Sequence, residues 1–249
     1  MISEPAPETT VIPEGRVYRQ CYENGLQDFP AEERMALART SGEPVLSALC
    51  FDPQPQVIAS LFENPRLGLV QARLVARHHR SAAGLEILGH TAFVQDEGVR
   101  RGLLQNPILP QGLFHRIWVT QRLLALYHVV ANRDLPERTR GMAKDLFRAA
   151  FHQRPAEEQV ELILISEGRC LAVLGGTALD SRAAALLCRR PLTSTLLVEN
   201  LARWNATPPM LINHLLRQEA ARRNAALRRM IERHPNAQAA RSEAHGSRA

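Results

Sequence analysis

Lysine is nearly missing from this chain: Lys144 is the single one among 31 Lys and Arg residues, so the positive charge is carried by guanidinium groups. Aromatic residues amount to 5%, and β-branched or aromatic runs are scarce, which argues against a sheet core. No apolar stretch approaches the roughly 18 to 20 residues needed to cross a bilayer, so no membrane insertion is expected. The start, MISEPAPETTVIPEG, is acidic and Pro-rich where a signal peptide is basic and then apolar, and a cytoplasmic protein is expected. Cysteines stand only at Cys21, Cys50, Cys170 and Cys188, with no C-x-x-C pair, and read as small buried hydrophobes in a reducing compartment.

Motifs of chemistry are missing too. His78-His79 are adjacent and point to different faces, and His115, His128 and His152 lack the i, i+4 spacing of a helical metal pair. Gly175-Gly176-Thr177 follows an apolar stretch as a phosphate loop would, but no lysine follows it. No catalytic, cofactor-binding or metal-ligating residue is therefore assigned, and the expectation is a non-enzymatic protein.

The 45% hydrophobic fraction is dominated by Leu and Ala, both good helix formers. Apolar stripes recur at i, i+3, i+4: Leu197, Val198 and Leu201, then Leu211, Ile212, Leu215 and Leu216, then Leu227, Met230 and Ile231. Between stripes lie proline breakers: Asn64-Pro65-Arg66-Leu67, Asn106-Pro107-Ile108-Leu109, Arg190-Pro191-Leu192 and His234-Pro235-Asn236. Pro65 and Pro107 are 42 residues apart and Pro191 and Pro235 are 44 apart, while Pro155 falls out of step. Proline disfavours the helical conformation of the residue before it, so each breaker ends a helix. Ser81, Asp96, Thr120, Asp134, Ser181, Ser194 and Thr207 are candidate caps for the helices that follow. Helices this short are marginal alone and must lean on neighbours. A constant period then gives an all-α fold, an α-solenoid of stacked short antiparallel helix pairs over residues 31–236. Residues 1–30 read as a flexible arm and 237–249 as a disordered tail.

The Asn-Pro-x-Leu breakers, with Leu61–Ala76 and Leu201–Asn236, resemble leucine-rich repeat variant and HEAT-like repeat proteins, chiefly uncharacterised bacterial ones. The resemblance implies a fold and no activity. The iron–sulfur cluster of one leucine-rich repeat variant needs clustered cysteines, which this chain lacks, so no cofactor is carried over. HEAT-like DNA glycosylases hold DNA with Trp, Asp and Arg. Trp118 beside Arg116 and Arg122, and Trp204 beside Arg203, match them in residue type alone.

The formal charge is +6, and the excess lies toward the C-terminal end. A helix over Arg217–Arg233 would carry Arg222, Arg223, Arg229 and Arg233 opposite Leu227, Met230 and Ile231. These four, with Arg116, Trp118, Arg122 and Trp204, are the candidate partner-binding residues. The expected partner is a protein engaged along the concave face. The alternative is nucleic acid held by the Arg-rich helices.

Overall fold

The structure, a computed structural model, describes residues 14–237. It is all-helical: seventeen α-helices and no strand occur among the described residues. The chain divides into two compact units. One takes the chain through Ile117 together with Arg133–Thr139, and the other takes Trp118–Asn132 and the chain from Arg140 onward.

In the first unit the helices are α1 (Glu14–Gly25), α2 (Ala31–Thr40), α3 (Val45–Leu49), α4 (Pro55–Phe62), α5 (Leu69–His78), α6 (Ala82–Gly89), α7 (Glu97–Gln105) and α8 (Gln111–Trp118), with a 3-10 turn at Ala92–Gln95. Helices here meet the next but one: α1 packs on α3, α3 on α5 and α5 on α7, while α2 packs on α4 and α4 on α6. The core between them is aliphatic, with Leu46, Leu49, Ile58, Leu61, Leu85, Leu88 and Leu103 fully buried. At the α5–α7 contact, Gly102 allows close approach. A Cβ there would stand 3.1 Å from Ala76 Cβ and 3.3 Å from the Arg77 backbone nitrogen.

The second unit holds α9 (Leu123–Ala131), α10 (Glu137–Phe151), α11 (Ala156–Ile165), α12 (Leu171–Leu174), α13 (Ser181–Cys188), α14 (Thr195–Arg203), α15 (Pro209–Arg217), α16 (Glu219–Arg223) and α17 (Ala225–Glu232). α10 starts within the segment assigned to the first unit. Again α9 packs on α11, α11 on α13 and α13 on α15, and α14 meets α16 and α17. Tyr127, Phe147 and Phe151 form a chain of tilted rings with centroids 6.1 and 6.0 Å apart.

The prolines mark the corners, and the residue before the proline fastens them. Asn64 donates from Nδ2 to the carbonyls of Ala38 (2.8 Å) and Ser41 (2.9 Å) at the end of α2. Asn106 donates in the same way to Ala76 (3.0 Å) and His79 (2.9 Å) at the end of α5. Each Asn also accepts the backbone N–H two residues on, at Arg66 and Ile108. The last carbonyls of a helix have no partner within it, and here a side chain from the following corner supplies one. At Pro235 the clamp is His234. Its Nδ1 accepts the Asn236 N–H, which leaves Nε2 to donate to the Trp204 carbonyl at 2.9 Å. Arg154, before the out-of-step Pro155, reaches the Val119 and Gln121 carbonyls at 2.8 and 3.0 Å. At Pro191 the direction reverses, and the Arg190 carbonyl faces His214 Nε2 at 3.0 Å.

Several expectations need correction. Part of the presumed arm is helix α1, held by buried Tyr22 and Leu26. Residues 1–13, and the tail from 238 onward, lie outside the described residues. The helix drawn over Arg217–Arg233 is three helices. Gln218 ends α15, and Asn224 stops α16 and caps α17 by accepting the Ala226 and Leu227 N–H groups. Of the candidate caps, Asp96 and Ser194 accept the expected N–H groups, from Val99 and Leu197. Ser181 lies inside α13 after Asp180, and α9 is preceded by Arg122, not Thr120.

Candidate binding cleft

On α5 the residues Gln71, Ala72, Val75 and Ala76 face the core. The opposite stripe, Val70, Arg73, Leu74, Arg77 and His78, follows the same helical spacing and is left to line a cleft of about 580 Å³. α1 contributes Gly15, Arg16 and Arg19, and the turn after α3 contributes Phe51. α1 approaches closely at this point: a Cβ on Gly15 would stand 3.1 Å from His78 Nε2. The His78 and Phe51 rings stack, with centroids 5.3 Å apart and planes 29° apart.

The helix that frames the cleft is anchored by a buried ionic cluster. Arg34 Nε stands 2.7 Å from Asp52 Oδ2, with side chains only 8% and 0% exposed. Arg34 also donates to the Gln27 and Phe29 carbonyls, and Asp52 accepts the Gln54 N–H. Tyr22 on α1 feels this carboxylate: burial, then the charge of Asp52, push its phenol up to about 12. Nearby, the His79 imidazole is buried against Gly84, where a Cβ would meet its ring at 1.9 Å. Burial lowers its pKa against the opposing pull of Asp52.

The cleft is basic, and its charges are unequally engaged. Arg73 grips Asp96 through two parallel contacts of 2.9 Å, and with the Val99 N–H it holds that carboxyl down at about 2. Arg19 sits 3.2 Å from Glu23. Arg16 and Arg77 have neither a hydrogen bond nor an ion pair to any described residue. Burial, then Arg77 and Arg19, lower the His78 pKa, so this ring serves the cleft as a neutral stacking surface near pH 7. None of the described lining residues carries a carboxylate. Chemically the cleft offers guanidinium donors around a hydrocarbon floor, a combination that attracts anions with an apolar part.

A second cleft of about 430 Å³ lies in the second unit, lined in part by Gly175, Gly176, Asn200, Arg203 and Trp204. Several of its polar groups already have partners. Trp204 Nε1 donates to the Gly175 carbonyl, Asn200 to the Glu167 carbonyl, and Arg203 pairs with Glu199. Among the described residues no group of three or more His, Cys, Asp or Glu is placed to hold a metal ion.

The residues singled out from the sequence differ in burial and in pairing. Trp118 and Trp204 are buried. Arg116 pairs with Glu86, Arg122 with Glu161 and Arg223 with Glu219. Arg222 lies exposed on α16, Arg229 on α17 returns its Nε to the Ala225 carbonyl, and exposed Arg233 ends α17. Arg16 and Arg77 escape a reading of the sequence because the first stretch is Pro-rich like an arm and His78-His79 reads as a helix end. The 70, 73, 74, 77, 78 spacing was the available signal. No protein-family model, curated protein or solved structure matches the chain.

Proposed function

We infer that this is a non-enzymatic helical-repeat protein of the cytoplasm, with antiparallel helix pairs stacked as a solenoid within its units, and that it holds a protein partner. The observation that carries the reading is the recurrent packing of helices on the next but one, as in α1 to α7 and α9 to α15, with corners fastened by the residue before the proline. Stacking of this kind builds extended surface from small units and needs no reactive group. The free, buried Cys50 and Cys170 suit a reducing compartment.

Nucleic-acid binding is the second reading, favoured by the exposed Arg222 and Arg233. It is weakened because Arg116, Arg122 and Arg223 already face carboxylates. The test is capture of partners from native lysate by the tagged full chain, with and without nuclease. A protein that stays bound after nuclease supports the first reading. Loss of every partner, with oligonucleotide binding that falls steeply with salt, replaces it by the second.

A further inference from the structure

The cleft between α1 and α5 combines features that packing of the unit does not call for. Arg16 and Arg77 put two guanidiniums, without described partners, beside one another's helices. Between them the floor is hydrocarbon, and Val70 is left 54% exposed with Leu69 beside it at 43%. Single exposed apolar residues are ordinary on a surface, but Val70, Leu74 and Phe51 share one concavity rimmed by cations. A volume of about 580 Å³ suits a few side chains and not a long polymer track. Single-stranded nucleic acid is held by open aromatic faces along a basic groove, whereas Phe51 is stacked against His78.

We propose that this cleft binds an acidic segment of a protein partner, seating an apolar side chain on Val70 and Leu74 and flanking carboxylates on Arg16 and Arg77. The proposal rests on the protein-binding reading above and adds the place and the chemistry. Guanidinium meets carboxylate through paired N–H donors, and charge of one sign around the mouth speeds encounter with an acidic chain. Arg73 borders the site as half of a neutral pair with Asp96, and so shapes the rim without competing for the ligand.

The experiment is a fluorescence-anisotropy titration of the full chain with a short labelled peptide in which Glu and Asp flank a central Leu-Phe pair. Three controls accompany it: the same peptide with Lys for each acid, one with Ser-Ser for Leu-Phe, and an oligouridylate of equal length. The variants are Arg16→Glu with Arg77→Glu, and Val70→Ser. These side chains hold no described contact that the fold depends on, and an unchanged urea midpoint verifies this. The expected result is saturable binding of the acidic Leu-Phe peptide, weakened about tenfold or more by the charge reversal and by several-fold with Val70→Ser. Equal binding of the Lys peptide, indifference to the charge reversal, or tighter binding of the oligouridylate overturns the proposal. Lysate capture with the reversed variant separates the two levels. A protein partner retained as well as by the native chain sinks the cleft and leaves protein binding standing. Failure of the native chain to retain any protein sinks the broader reading, while the titration still judges the cleft.

Discussion

Arg34 and Asp52 are the most exacting pair of residues in the molecule. Two opposite charges have been taken out of water, with Arg34 Nη1 donating to two backbone carbonyls and Asp52 Oδ1 accepting a backbone N–H. Removing one partner strands the other, so Arg34→Ala should lower the unfolding free energy by about 3–5 kcal/mol, measured by urea denaturation. Replacing both by apolar residues of similar size should restore much of that loss. Neither residue was legible as a pair, because Arg34 sits among the charges of α2 and nothing in the sequence says which arginine turns inward. His79 gives a pH signature. The unfolded chain takes up a proton near the ordinary imidazole value of 6.5, while the buried ring resists it. Stability is therefore whole above about pH 6.5 and drains as the pH falls below it. His79→Gln should flatten that decline in urea midpoints collected between pH 5 and 8.

Among the elements, the corners repeat most faithfully. The sequence showed where they lie, since proline ends a helix by its own covalent geometry. It did not show what secures them, because the carbonyls that Asn64 and Asn106 bind belong to helices far back in the chain. For the same reason Pro155 looked irregular, although Arg154 performs the task of the Asn with a longer side chain. Asn106→Ala leaves two helix-end carbonyls buried without donors and should cost about 2–4 kcal/mol by urea denaturation. Asn106→Asp should cost more, since a carboxylate would then face carbonyl oxygens. The stretch after Arg217 was misread because its charge pattern is continuous while its backbone is not. Asn224 is a favoured cap residue, and that signal was available.

At the scale of the whole molecule, helix content followed from composition, but the division into two units did not. Short helices linked by similar corners look alike in sequence wherever the boundary falls. The boundary is crossed more than once, since Arg133–Thr139 rejoins the first unit after the chain has left it. Leu135 and Thr139 in that stretch are buried. Leu135→Ala should cost about 2–4 kcal/mol. Hydrogen exchange followed by mass spectrometry should show the lost protection in peptides before residue 118, more than in those after residue 140.

That returning stretch also bears on how the gene can be divided. A stop codon or recombination joint at the first crossing would strip the leading half of a piece encoded downstream of α9, while a joint after the last crossing would hand it a helix belonging to the other half. No single breakpoint therefore yields two whole parts.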